Sequence, residues 1–121
     1  MKESILSTKS FAFSLRIIKV YKHMSIELKE FVLSKQVLRS GTSVGANIEE
    51  SIHAQSKSDF ISKLSIAQKE AIETNYWLRL LKESSYLSVG QADSLLGDCN
   101  ELQRLLAASI KTAKQNLNKR Q

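Results

Sequence analysis

Apolar residues recur at steps of three and four along most of the chain, which is the spacing of one face of an α-helix. The pattern is most regular between residues 57 and 85, where it runs through three heptads like the seam of left-handed helix packing. The seam positions are Phe60, Leu64, Ala67, Ala71, Thr74, Leu78 and Leu81. Comparable patterns predict a first helix from residues 8–10 to 24, a second from 30 to 54, and a fourth that begins after residue 88.

The breaks between these helices are short and contain few helix breakers. The chain of 121 residues has no Pro and only four Gly. Ser56 with Asp59, and Ser88 with Gln91, match the capping-box signature of a helix start. Strand patterns are absent from the sequence. The expected fold class is therefore all-α: a single domain over residues 1–121, folded as an antiparallel up-down-up-down four-helix bundle.

The first helix carries more apolar surface than one core-facing helix needs. Two adjacent stripes make up this surface: Phe11, Leu15 and Ile18 form one, and Phe13, Ile17, Val20 and Met24 form the other. We interpret the surplus as an interface between copies of the chain, and we assign the interface to the second stripe. A central position of this helix within one monomer is the alternative.

A line of polar residues, here called the polar line, runs along one face of the second helix between residues 36 and 50. Its members recur at steps of four and three on one helical face, with Arg39 beside them. They are Gln36, Ser40, Ser43, Asn47 and Glu50. Gly41, Gly45 and Ala46 lie between these positions and allow a neighbouring helix backbone to approach closely. Because two helical Gly cost about 1 kcal/mol each relative to Ala, packing or binding should compensate for them.

The polar line gains partners if the second and third helices are antiparallel about Ser56. Arg39 then meets Glu73, and Glu50 meets Lys63. An unpaired polar group in such a place would cost about 1 to 3 kcal/mol, which is the destabilisation we expect from Arg39→Ala.

The charge balance favours contact with polyanions. Eighteen Lys and Arg against twelve Asp and Glu give a formal net charge of +6, which is compatible with nucleic acid, anionic lipid or an acidic protein as partner. Candidate phosphate contacts are Lys9, Arg16, Lys19 and Lys22 on the first helix and Arg104, Lys111 and Lys114 on the fourth. Basic residues near a helix C-terminus also suit the macrodipole, so part of this charge has a purely structural alternative.

The sequence supplies no reaction centre. His23 and His53 lie on different helices without further ligands at metal-binding spacing. Ser43 lies between two Gly in GTSVG, but a nucleophile elbow needs a strand before it, and this segment is helical. No phosphate-binding Gly-rich motif is present. We therefore expect no catalytic, metal or cofactor site, and no enzyme activity.

Tyr76, Trp77 and Cys99 are the remaining residues whose side chains could take part in binding or in a reaction. The adjacent aromatic residues must point in different directions, so one is expected in the core, and the other could cover a partner chain or stack on a base. We favour core or interface packing over base stacking. We expect Cys99 to be a small core hydrophobe, because a single Cys cannot form an internal disulfide. A lone Cys, no signal peptide and no long apolar run predict a cytoplasmic protein without a membrane span.

Several segments together resemble the bacterial four helix bundle proteins. These segments are KSFAFSLRIIKVYK (9–22), LSKQVLRSGTSVGANIEES (33–51) and SKSDFISKLSIAQKEAIETNYWLRLL (56–81), followed by a basic fourth helix. That family includes the 23S rRNA-intervening sequence proteins, and the accessory variability proteins of diversity-generating retroelements are related to it. The resemblance covers nearly the whole chain.

The resemblance implies an assembly more than an activity. Relatives form rings of five subunits, and members of the retroelement branch are basic, non-enzymatic proteins that bind nucleic acid and assist a reverse transcriptase. Transferred to this sequence, the motif positions in residues 36–50 hold subunit geometry, and the basic edges are the candidate ligand surface. The resemblance implies that copies of the chain form a homopentamer. It also implies RNA or DNA as a ligand, and a reverse transcriptase or another protein as a partner.

Two hypotheses follow. The first is a non-catalytic homo-oligomer, a pentamer by resemblance, that contacts RNA or DNA phosphates through the basic residues of the first and fourth helices. The second is a protein-interaction adaptor or scaffold without a nucleic-acid ligand, whose charge serves solubility or binds an acidic partner.

Overall fold

A computed structural model describes residues 4–119 of the chain. Four α-helices follow one another: α1 (Ile5–Lys22), α2 (Leu33–Ile52), α3 (Lys57–Glu83) and α4 (Val89–Lys119). Each helix packs on the next, and α1 also packs on α4, so that the bundle closes. In this arrangement α1 and α3 are diagonal neighbours. The predicted all-α four-helix bundle is confirmed.

The α2–α3 and α3–α4 turns end at the predicted capping residues, Ser56 and Ser88. The Ser88 hydroxyl accepts from the Gln91 N–H at 3.1 Å, and the Gln91 side-chain oxygen accepts from the Ser88 N–H at 3.1 Å. This is the reciprocal capping box. At the start of α3 the Ser56 hydroxyl accepts from the Asp59 N–H, while the Asp59 carboxylate accepts from the Gln55 N–H one residue earlier than the signature predicts.

The connection between α1 and α2 differs from the prediction. A π-helical turn, His23–Glu27, follows α1, and the Leu28 N–H donates to the His23 carbonyl oxygen at 3.2 Å. Helix α2 then begins at Leu33, because the Glu30 carboxylate accepts hydrogen bonds from backbone N–H groups of its first turn. Burial alone would raise the pKa of Glu30, but these backbone hydrogen bonds outweigh it, and the pKa is lowered.

The assignment of the oligomer interface to the second stripe of α1 is wrong. Phe13, Ile17, Val20 and Met24 are only 2, 0, 7 and 0% exposed within one chain. They belong to the core and are not available to a second copy. The apolar surplus lies on the other stripe instead, where Phe11 is 68% and Leu15 50% exposed. Periodicity identified two stripes but could not decide which one faces inwards.

The glycines of α2 determine which stripe is buried. A Cβ atom on Gly41 would lie 2.8 Å from two carbons of Ile17, and one on Gly45 would lie 3.1 Å from the Ser14 hydroxyl and 3.4 Å from the Ser10 carbonyl oxygen. Two helices can therefore approach here to a distance that larger residues would not permit. The expected close approach is confirmed, and the neighbouring helix is α1.

Gly41→Ala is expected to lower the free energy of unfolding by about 1–3 kcal/mol, because the added methyl group overlaps Ile17 and overpacking a core has this cost. Urea unfolding followed through the single Trp, Trp77, measures the change.

Gly97→Ala is the matched control, because a Cβ atom at Gly97 of α4 would meet nothing within 4 Å. Its higher helix propensity should raise stability by up to about 1 kcal/mol. The same stabilisation in Gly41→Ala would contradict the tight contact with Ile17.

Candidate nucleic-acid interface and assembly surfaces

The polar line of α2 forms the seam with α3. Arg39 pairs with Glu73, as predicted, and its guanidinium also lies 3.4 Å from Glu70. The Ser40 and Thr74 hydroxyls are both buried and hydrogen-bond across the seam at 2.9 Å. Glu50 lies 3.8 Å from Lys63, which confirms the second predicted pair.

The remaining members of the line are satisfied within α2. The Ser43 hydroxyl donates to the Arg39 carbonyl oxygen at 2.6 Å, and the Asn47 amide donates to the Ser43 carbonyl oxygen at 2.9 Å. The Gln36 side-chain oxygen accepts from Arg39 at 3.4 Å. Because these groups have partners within one chain, the line is explained by helix packing and leaves little of its polarity for a ligand.

The basic residues of α1 divide into two kinds. Lys9 forms an ion pair with Glu101 at 3.1 Å, and Arg16 forms one with Asp98 at 2.5 Å and donates to the Ser94 hydroxyl at 2.9 Å. Both pairs join α1 to α4. Lys19 is exposed and has no carboxylate within 4 Å in residues 4–119, and the same holds for Lys22. The predicted α1 edge is therefore partly structural.

The basic residues of α4 lie elsewhere. Arg104, Lys111 and Lys114 are exposed, and none forms an ion pair within the described part of the chain. Lys111 and Lys114 lie beside Gln68 of α3, on the opposite flank of α4 from α1. Since α1 and α4 are antiparallel, Lys111 is about 20 residues beyond the part of α4 next to Lys22, which corresponds to about 30 Å. The two basic edges do not form one surface within a chain.

Two exposed apolar stripes lie on opposite sides of the bundle. The α1 stripe consists of Phe11 and Leu15, with the half-buried Ile18 next to them. The α3 stripe consists of Ile72, Tyr76 and Leu80, which are 55, 49 and 37% exposed. They point away from the core on diagonal helices. The sequence analysis missed the α3 stripe, although its steps of four on the face opposite the seam are visible in the sequence.

A groove of about 510 Å³ runs beside the α1 stripe, between α1 and α2. Phe11 and Ile18 line one wall, and Gly45 and Ala46 line the other. The small residues that bring α1 close to α2 thus also leave a shallow apolar channel at the surface. This channel lies next to Phe11, the aromatic residue of the α1 stripe.

Trp77 and Cys99 occupy structural positions, whereas Tyr76 does not. Trp77 is half-buried and its indole N–H donates to Glu73 at 2.9 Å, whereas Tyr76 is exposed on the α3 stripe. Cys99 is fully buried, and its thiol donates to the Ala71 carbonyl oxygen at 3.2 Å. Burial raises the pKa of Cys99 to about 11, which keeps the thiol protonated and unreactive at neutral pH.

Within residues 4–119, no group of three or more His, Cys, Asp or Glu side chains converges as a metal site would require. In the same part of the chain, no helix has the length and apolar character needed to cross a membrane.

The features above describe a class of protein: a basic four-helix bundle with exposed apolar stripes and exposed basic residues on its surface. The chain belongs to the family of 23S rRNA-intervening sequence proteins, whose model matches residues 2–108. The resemblance seen in the sequence is thereby confirmed. Of the candidate basic residues, Lys111 and Lys114 lie beyond the matched range.

A solved crystal structure supports the assignment. It is a protein of unknown function from the S23 ribosomal protein family of Bacteroides thetaiotaomicron, 51% identical in sequence, with a TM-score of 0.88 over 92% of this chain and 99% of the other. No curated protein matches the sequence.

Arg39→Ala is expected to cost about 1 kcal/mol, because the structure leaves Arg39 49% exposed and exposed ion pairs contribute little. This is the lower end of the range expected from sequence. A double-mutant cycle with Glu73→Gln, followed by urea unfolding, isolates the pair. If the changes in the free energy of unfolding were strictly additive, a stabilising contact between Arg39 and Glu73 would be contradicted. Lys35→Ala, on the exposed side of α2, is the control for the loss of a positive charge.

Proposed function

We propose that this chain is a non-enzymatic homo-oligomer, a closed ring of five copies, that binds the RNA or DNA backbone through its basic edges. The observation that carries the proposal is the presence of two different exposed apolar stripes on opposite sides of one bundle. Contiguous apolar surface of this kind is typical of interaction sites.

The placement of the stripes favours a ring over a two-fold dimer. A two-fold interface uses the same patch on both subunits, whereas two different patches on opposite sides suit head-to-tail contacts, which form a ring when the rotation between successive copies closes. In the proposed ring, the α1 stripe and groove of one copy receive the α3 stripe of the next. The number five comes from the resemblance to ring-forming relatives.

Ring formation would also bring the basic edges together. One chain separates its two edges, but five copies at +6 each would carry about +30 and repeat every edge around the ring. Lys19, Lys22, Arg104, Lys111 and Lys114 are the best contacts, because no carboxylate neutralises them in residues 4–119. Lys9 and Arg16 contribute less, since each is already paired. The family's description refers to 23S rRNA, which makes RNA the first polyanion to test.

Phe11→Glu and Ile72→Glu should each convert the oligomer into monomers, because each places a charge in one of the two stripes. Light scattering and sedimentation measure the mass, and circular dichroism verifies that the helices persist. Gln115→Glu adds the same charge to an exposed position of α4 outside both stripes and should leave the assembly intact.

Mixing the two variants tests the head-to-tail arrangement. Phe11→Glu keeps its α3 stripe and Ile72→Glu keeps its α1 stripe, so the mixture should form a one-to-one complex although neither variant associates alone. If Ile72→Glu dimerises by itself, the interface joins identical patches and the ring model is wrong.

Lys19→Gln/Lys22→Gln and Lys111→Gln/Lys114→Gln should each weaken binding to a structured RNA, with Lys35→Gln as the control on α2. Anisotropy titrations measure the affinity. If four phosphates are contacted, it should fall about a hundredfold between 50 and 200 mM salt. Affinity that does not change with salt would refute phosphate binding.

A protein-interaction adaptor is the second candidate. The observation that favours it is the apolar connection after α1, where Ile26, Leu28, Phe31 and Val32 are all substantially exposed. A gel-shift experiment with the assembled protein separates the two functions: no shift at physiological salt would favour the adaptor.

A further inference from the structure

A cleft of about 330 Å³ lies between the end of α1 and the beginning of α4. Val20, Leu87 and Leu95 form an apolar floor, and all three are nearly buried. Arg16, Lys19, His23 and Gln91 form a polar rim. Its volume is at the lower end of the range for small-molecule sites, which suits one ring system with an attached charged group better than a helix or a duplex.

The rim offers hydrogen-bond donors that the fold leaves available. Lys19 has no carboxylate within 4 Å in residues 4–119. The Gln91 side-chain oxygen is used by the capping box, so its amide NH₂ group can still donate. Lys19 and Gln91 are both exposed and therefore accessible to a ligand.

The other two rim residues are held in place by acidic neighbours. Asp98 and Ser94 fix the guanidinium of Arg16, and Glu27 pairs with Nδ1 of His23. Because Arg16 is already paired with Asp98, it acts chiefly as a planar group on which a ring can stack. Lys19 remains as the cation for a phosphate. His23 also begins the π-helical turn, an irregularity that is frequent at functional sites.

We propose that this cleft receives a single unpaired nucleotide of a bound RNA. The base lies on the apolar floor against Arg16 and accepts a hydrogen bond from the Gln91 amide, and Lys19 contacts the adjoining phosphate. The inference rests on the proposed nucleic-acid binding and goes beyond it, because it assigns recognition of unpaired nucleotides to one site, whereas the α4 edge contacts any phosphate backbone.

Three labelled RNA hairpins test the proposal with the assembled full chain. One stem is fully paired, one carries a single-nucleotide bulge, and one carries an abasic residue at the bulge. The bulged hairpin should bind about tenfold more tightly than the other two, as one stacked base is sufficient to produce. Equal binding of the abasic and bulged hairpins would overturn the proposal, since a flexible backbone would then explain the preference.

Gln91→Glu and Gln115→Glu form a matched pair of variants. Glutamate can replace Gln91 in the capping box, so Gln91→Glu should stay folded, but it removes the donor and should abolish the preference for the bulge. Gln115→Glu adds the same charge on the α4 edge and should weaken all three hairpins equally, leaving the preference intact. A preference that survives Gln91→Glu would overturn the cleft assignment.

Failure of the cleft can be distinguished from failure of the function. If the unmodified protein binds all three hairpins with equal affinity, nucleic-acid binding stands and the nucleotide cleft is wrong. If it binds none of them at physiological salt, the proposed function is wrong and the cleft assignment falls with it.

Discussion

The arrangement of the bundle depends on the contact between Ile17 of α1 and Gly41 of α2. Since Gly41 has no side chain, Ile17 occupies the space where a Cβ atom would lie. This contact sets the rotation of α1 about its own axis, and the rotation places one apolar stripe in the core and the other at the surface. It also turns Lys9 and Arg16 towards α4, where Glu101 and Asp98 meet them.

The fold followed from the sequence because its signals are local. The steps of three and four, the capping residues at Ser56 and Ser88, and the scarcity of breakers each act within a few residues. The pairs Arg39–Glu73 and Glu50–Lys63 also followed, since an antiparallel turn of known position fixes which residues face each other. The start of α2 did not, because the Glu30 carboxylate reaches forward to cap it from outside the usual capping position.

The surfaces were harder to predict, for a physical reason. Both stripes of α1 are equally apolar, so hydrophobicity alone could not identify Phe13 and Ile17 as core and Phe11 as surface. Charge has the same ambiguity. Lys9 and Lys19 look alike in sequence, yet one has a carboxylate partner on α4 and the other has none in residues 4–119. The cleft at His23 and Gln91 joins residues that are far apart in the chain, and a pattern within one helix could not reveal it.

Head-to-tail association has no built-in end point. Whether successive copies return to the first or continue as a fibre is decided by the angle between the two joining faces of each subunit. In the proposed ring those faces lie on α1 and α3, and the contact between Ile17 and Gly41 limits how closely α1 can lie against α2. The absence of a side chain at Gly41 would thus influence how many copies complete the ring, although Gly41 lies inside the subunit and away from the proposed interfaces.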